Sequence, residues 1–129
     1  MSILIDTNIF IWAATGSERL TIEAREMLND PDKIIFFSAV SAWEIAIKWS
    51  KGSLELPDDP QIFLPVALSN AGYSQLSVNL RDACAVASLP LYHKDPFDRL
   101  LIGQAMANGL SILTSDSEFK KYNVDVIWL

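Results

Sequence analysis

The sequence predicts an α/β fold with a mainly parallel sheet. Three observations carry that expectation. Short apolar runs rich in isoleucine recur along the chain, and helix-like segments separate most of them. Two of the runs, Ile3-Leu4-Ile5 and Ile112-Leu113-Thr114, stop at or just before an aspartate, Asp6 and Asp116. Runs of this kind read as strands covered by helices on their faces. In such sheets ligands collect outside the carboxyl ends of the strands, which is where Asp6 and Asp116 would stand.

The elements follow in order. Ile3 to Ile5 is a buried strand, and Asp6, Thr7 or Asn8 can cap the short helix Ile9 to Ala14. Thr21 opens a second helix, with Leu20, Ala24, Met27 and Leu28 near one face. After the turn Asn29-Asp30-Pro31-Asp32, Ile34 to Phe37 is a second strand. Ser38 starts a long helix that stops at Gly52. A loop leads to a helix from Pro60 to Asn70, followed by Gly72 and a short strand within Tyr73 to Val78. Asn79 caps a helix to about Ser88. Asp95-Pro96 opens the next helix, Asp as N-cap and Pro at its first position, and Gly109 closes it. Ser111 to Thr114 is a strand, Asp116 to Lys121 a short helix and Val124 to Trp128 a last strand. No repeat, low-complexity run or linker interrupts the 129 residues, so one domain over 1–129 is expected.

Half of the residues are apolar, enough for a real core. No apolar run reaches the roughly 18 residues of a membrane helix, and Met1-Ser2-Ile3 lacks the basic start of a signal peptide. The single cysteine, Cys84, sits among alanines and reads as a buried small hydrophobe in a reducing, cytoplasmic protein. The net charge is −6, from 16 acids and 10 bases. That argues against a nucleic-acid partner, unless shared carboxylates hold a cation and reverse the local charge.

Four acids are candidates for such a site. Asp6 and Asp116 each have a plainer role as helix caps. Glu44 lies on the polar stripe Ser41, Glu44, Lys48, Lys51 of an otherwise apolar helix. That stripe is either a solvated face with a Glu44–Lys48 pair or the wall of a cleft; Ser41 to Glu44 also fits a capping box. Asp98 begins a stripe continued by Leu101, Ile102 and Ala105, so it is aligned with the buried face, although it also suits the first helical turn. Two like charges about 4 Å apart repel by roughly 4 kcal/mol at an effective dielectric near 20. Four converging carboxylates therefore point to a cation, and hard oxygen donors select Mg²⁺ or Mn²⁺. The only histidine, His93, falls in a loop and reads as a surface residue, which argues against zinc. No Gly-rich phosphate loop or Ser-His-Asp set is present.

Four segments in order carry a resemblance: Leu4-Ile5-Asp6-Thr7-Asn8, Ser38 to Ile45, His93 to Ile102 and Leu113-Thr114-Ser115-Asp116. With them the chain resembles the PIN-domain ribonucleases, and among these the VapC-like toxins of bacterial toxin–antitoxin modules. The resemblance implies a three-layer α/β/α fold, an acidic pocket for Mg²⁺ or Mn²⁺, and metal-assisted hydrolysis of RNA. It carries the four catalytic, metal-holding acids onto Asp6, Glu44, Asp98 and Asp116; of these we take Asp6 and Asp98 as the direct ligands. Thr114 matches the motif hydroxyl, Asp95 is an extra acid of the subgroup, and Gly103 stands where many relatives have alanine. Arg99, Lys48, Lys51 and Lys94 are then candidate phosphate contacts. A small antitoxin laying a helix beside Trp12, Trp43 and Trp49, and a homodimer, are also implied. Rival readings are a PIN fold used only for binding, an aspartyl-nucleophile phosphatase, which wants an acid where Asn8 stands, and a receiver-like domain, which wants an acidic pair after the first strand.

Overall fold

The computed structural model describes residues 1–128. Five strands, β1 (Ser2–Ile5), β2 (Ile34–Ser38), β3 (Ser74–Leu76), β4 (Ser111–Thr114) and β5 (Val126–Trp128), pair in the order β3-β2-β1-β4-β5, every pair parallel. Six helices connect them: α1 (Thr7–Thr15), α2 (Ile22–Leu28), α3 (Ala39–Ser50), α4 (Pro60–Ala71), α5 (Leu80–Ala85) and α6 (Pro96–Asn108). Two 3-10 turns, Val86–Ser88 and Ser117–Lys121, complete the set.

The strands alternate between two cores because successive side chains leave opposite faces. Ile3, Ile5, Ile35, Phe37 and Leu113 pack with Ile9 and Phe10 of α1, Ala24 and Leu28 of α2, and Leu64 and Leu68 of α4. Leu4 and Ile112 face the other way, onto Leu101, Ile102 and Ala105 of α6 and onto Phe119 and Tyr122. Helix α3 serves both, giving Ile45 to the first core and Val40 to the second. The result is the three-layer α/β/α arrangement, with apolar strands sandwiched between helices.

From β1 the chain moves outward to β2 and β3, then crosses back to β4 on the other side of β1. The strand order therefore reverses between β1 and β4, and open α/β sheets bind ligands in the crevice at such a point. Ile5 is level with Leu113, so Asp6 and Thr114 leave the sheet side by side at its carboxyl edge.

The helix starts expected from sequence are capped, and Asp59, not singled out there, caps α4. Asp6, Thr21, Ser38, Asp59, Asn79 and Asp95 each accept a hydrogen bond from a backbone N–H in the first turn of the helix they precede. Gly72 and Gly109 end α4 and α6 at positive φ, which glycine adopts without a Cβ penalty.

One expectation fails. Cys84 is exposed, not buried. Helix α5 is only six residues long and turns the acidic Asp82 inward instead. On α3, of the two roles open to the polar stripe, its first half takes the inward one: Ser41 and Glu44 are buried beside Val40 and Ile45, while Trp43, Ala46 and Trp49 face outward.

Asp82 anchors a buried polar network that sequence reading did not find. It closes a capping box with Asn79 and accepts from Gln104 Nε2 and Asn108 Nδ2 at 3.4 Å each. Gln104 Nε2 also donates to the Ser77 carbonyl (3.0 Å), and its Oε1 accepts from the Ser38 hydroxyl (2.6 Å). Helix α6 is thereby joined to α5, to the β3 exit and to the start of α3. Beside this network, a Cβ on Gly103 would meet Val86 Cγ2 at 3.4 Å and the Asp82 carbonyl at 3.8 Å, which is ordinary contact. Gly103→Ala is therefore expected to raise stability, by up to about 1 kcal/mol from helix propensity. Denaturant unfolding checks this, and a fall in stability would show that the α5–α6 approach is tighter than these distances indicate.

Candidate active site

The site grows from the β1–β4 pair. Asp6 extends the ladder by one residue, its N–H donating to the Leu113 carbonyl at 2.9 Å. Its carboxylate is then held on both oxygens: Oδ1 accepts from the Thr7 N–H and Oδ2 from the Thr114 hydroxyl, each at 2.7 Å. Thr114 Oγ1 accepts in turn from the Asp116 N–H (3.0 Å), which turns the chain out of β4. Asp116 Oδ1 caps the following 3-10 turn by accepting from the Glu118 N–H (2.9 Å).

Helix α3 supplies the next wall. The Thr7 hydroxyl donates to Ser41 Oγ at 2.8 Å and ties α1 to α3. One turn on, Glu44 is only 4% exposed. Its Oε2 accepts from Lys48 Nζ at 2.6 Å. Its Oε1 is buried without a partner, the one such side-chain atom found among the described residues.

Helix α6 supplies the third. Asp95 Oδ1 accepts from the N–H groups of Phe97 (2.9 Å) and Asp98 (3.4 Å), so the helix starts with Asp98 in its first turn. The Asp98 Oδ2 lies 2.9 Å from His93 Nε2, and the same nitrogen is 3.0 Å from Asp116 Oδ2. His93 is therefore a member of the site and not a surface residue; its side chain is 16% exposed. The pull comes from far along the chain. The His93 N–H donates to the Tyr122 hydroxyl (2.7 Å), and the ring meets Phe119 edge-on at 5.9 Å.

The charges of these groups act on one another. Burial, above all, pushes the Asp6 carboxyl up to about 6; the hydrogen bonds from Thr114 and Thr7 restrain it, and Glu44 and Asp116 add to it. Burial likewise pushes Asp98 up to about 8, with Asp6, Asp95 and Glu44 raising it and His93 opposing them. Burial pulls the His93 imidazole down, but the Asp116 hydrogen bond and the charges of Asp98, Asp116 and Asp95 outweigh it, so it is raised. The hydrogen bond to Glu44 raises Lys48.

The four basic candidates divide. Lys48 is spent on Glu44, and Lys51 and Lys94 are exposed. Arg99 is a correction: its guanidinium donates to the carbonyls of Pro90 (2.9 Å), Val86 and Leu89 (3.3 Å each) and faces the Tyr122 hydroxyl at 3.4 Å. It holds the loop before α6 instead of facing a phosphate. The one sequence clue to His93 was its place two residues before the cap Asp95, whose N–H reaches back to His93 Nδ1 at 3.2 Å.

These residues fit a divalent cation. Glu44 offers an oxygen with no other use, and two acids are held against their own charge. One side-chain nitrogen or oxygen from each of His93, Asp98 and Asp116 lies within 4.8 Å of the other two, so the Asp98 and Asp116 carboxylates are close neighbours. The donor set is dominated by carboxylate oxygen, the preference of Mg²⁺ and Mn²⁺.

Comparison with known proteins agrees with the fold. The sequence profile of the PIN domain matches residues 3–125. Ribonuclease VapC16 of Mycobacterium tuberculosis is 39% identical over 57 residues, a stretch covering 44% of this chain and 40% of that protein. In structure, VapBC2 from Rickettsia felis, bound to a DNA fragment from its promoter, superposes with a TM-score of 0.77 at 18% identity, covering 100% of this chain and 99% of that one. VapBC-5 from Mycobacterium tuberculosis gives 0.65 at 20% identity, covering 99% and 98%. At these identities the structural likeness is one of fold.

The raised acids set a pH dependence. A carboxyl whose folded pKa lies above its ordinary 3.8 favours the fold most when protonated, so its contribution is full below that value and is lost as pH rises through about 6 for Asp6 and about 8 for Asp98. The chelated protein is therefore expected to melt at a lower temperature near pH 9 than near pH 5, and Mn²⁺ to restore stability at the higher pH. Calorimetric scans with chelator and with Mn²⁺ check this. A melting temperature indifferent to Mn²⁺ at high pH would contradict it.

Proposed function

Because the chain belongs to the PIN domain family, we propose that it is a Mg²⁺- or Mn²⁺-dependent endoribonuclease, and the toxin of a toxin–antitoxin pair. The observation that carries this reading is the convergence of Asp6, Glu44, Asp98 and Asp116 at the strand-order reversal, with Glu44 Oε1 left unpartnered. The names of relatives support it: one is a ribonuclease, and several solved structures of the same fold are VapBC complexes.

Asp6 and Asp98 hold the cation directly in this reading; Glu44 and Asp116 bind it more loosely or orient the attacking water. When bound, the ion supplies Lewis-acid activation of water and neutralises charge on the phosphate. The chain does the rest by preorganisation. Thr7 and Thr114 lock the Asp6 carboxylate before any ligand arrives. The Asp95 cap presents Asp98 at a helix start, where backbone N–H groups favour negative charge. Lys48 offsets Glu44, and the exposed Lys51 and Lys94 are the cations open to an incoming backbone phosphate.

A pocket that collects negative charge also accepts a basic side chain, so a small antitoxin that inserts one would silence the enzyme by taking the cation's place. The outward apolar residues of α3, with Trp43 at 58% exposure, suit a helical partner. A cytoplasmic, homodimeric enzyme belongs to the same reading. Among the described residues no helix is long and apolar enough to cross a membrane.

Asp6→Asn and Asp98→Asn are expected to lower RNA cleavage in Mn²⁺ on the order of 100-fold or more, the scale on which a lost preorganised electrostatic group acts, while both variants keep a cooperative melt. Gel assays on mixed cellular RNA read the cleavage; a variant as active as the parent would defeat the assignment. Expression of the chain alone should arrest growth, and co-expression of the adjacent open reading frame should relieve the arrest. Unimpeded growth in both cases would defeat the toxin reading.

A further inference from the structure

We propose that His93 is a positioning residue of the acidic pocket: a fixed Nε2–H donor that clamps the Asp98 and Asp116 carboxylates side by side, and not a ligand of the cation. The inference rests on the metal-nuclease reading above and assigns a part to a residue outside its four acids.

The ring is constrained on every side. Its backbone N–H is bound to the Tyr122 hydroxyl, its face is set by Phe119, and its Nε2 lies between two carboxylate oxygens at 2.9 and 3.0 Å. The remaining contact decides its chemistry. The Asp95 N–H donates to Nδ1 at 3.2 Å, which occupies the Nδ1 lone pair. A neutral imidazole that accepts there carries its one hydrogen on Nε2; an imidazolium would give up the Nδ1 contact but carries a hydrogen on Nε2 as well. Nε2 is thus a donor in every state this environment allows. A histidine that ligates a metal through Nε2 keeps its hydrogen on Nδ1 and gives it to a carbonyl or carboxylate. Here Nδ1 meets an N–H, so that tautomer would set hydrogen against hydrogen.

The donor has two acceptors from different elements, one at the start of α6 and one after β4. It holds two mutually repelling carboxylates together before a cation is present and leaves their other lone pairs for the ion. Arg99 and Tyr122 aim it. The guanidinium gathers the carbonyls of residues 86–90, and both Arg99 and the His93 backbone meet the Tyr122 hydroxyl.

The test uses Mn²⁺ as the probe. Isothermal titration of the purified chain should show His93→Ala binding Mn²⁺ 10- to 100-fold more weakly, as is usual when an outer-shell partner is lost. His93→Gln, which keeps an N–H within reach of the carboxylates, should recover most of that loss. Electron spin echo spectra of Mn²⁺ in the parent protein should show no directly bonded nitrogen. A bonded histidine nitrogen, or unchanged Mn²⁺ affinity in His93→Ala, would overturn the clamp. Should the alanine variant not fold, ¹⁵N NMR of the parent ring decides: a hydrogen on Nε2 supports the clamp, and a bare Nε2 overturns it. An alanine variant that binds Mn²⁺ and cleaves RNA like the parent sinks the clamp alone. A parent protein that binds no Mn²⁺ sinks the nuclease reading and the clamp together.

Discussion

The structure depends on a concentration of negative charge that the fold itself does not neutralise. Asp6, Glu44 and Asp98 are drawn out of water at one edge of the sheet, and burial, with the charges of neighbouring acids, moves Asp6 and Asp98 well above the ordinary carboxylate range. Such a site persists only because the framework forces it. Parallel pairing of β1 with β4 leaves Asp6 and Thr114 no choice but to emerge together, and the Asp95 cap commits Asp98 to the first turn of α6. Two well-packed cores on either side of the sheet supply the stability that the charged edge spends.

The same constraint explains the orientation of α3. An apolar helix would ordinarily bury its apolar face. Here Ser41 and Glu44 share the inward positions with Val40 and Ile45, since Ser41 joins Thr7 and Glu44 acts on the charges of the other acids. The consequence is apolar surface turned to solvent at Trp43 and Trp49, with Trp43 resting on Phe97 of α6 at 5.0 Å. Trp43 and Phe97 each directly precede an acid, Glu44 and Asp98, so the acids and the apolar surface are different aspects of the same two helices.

Most of the fold was legible because its signals are local. Strand runs, the caps Asp6, Ser38, Asn79 and Asp95, and the terminating Gly72 and Gly109 each act within a turn or two of sequence. The four acids were legible for a related reason: two end apolar strands, and one lies on a buried helical stripe. What was not legible is set by distant parts of the chain. Nothing near His93 says that Tyr122, 29 residues on, takes its backbone N–H and draws the loop inward. Arg99 adjoins Asp98 in sequence, but the helix turns it toward the carbonyls of residues 86–90. Cys84 looked buried from its alanine neighbours, but a helix of six residues has one inward face, and Asp82 holds it.

The pocket's two nearest positive or protonatable groups differ in how firmly they are held, and that difference shapes what the site can admit. Lys48 reaches Glu44 from the next turn of the same helix, on a flexible side chain that is 44% exposed. The ammonium can swing into water, and a divalent ion that replaced it would take over the charge it offsets on the buried Glu44 carboxylate. His93 is pinned through its backbone, its ring face and both nitrogens. Moving it would expose polar groups on three elements at once, each carrying a desolvation penalty of about 1–3 kcal/mol if left unpaired. The side of the pocket at Glu44 is therefore the adaptable one, and the unpartnered Oε1 lies on that side. The side at Asp98 and Asp116 is rigid. A cation entering such a site would meet one wall already set to receive it and another that completes its coordination by letting a lysine go.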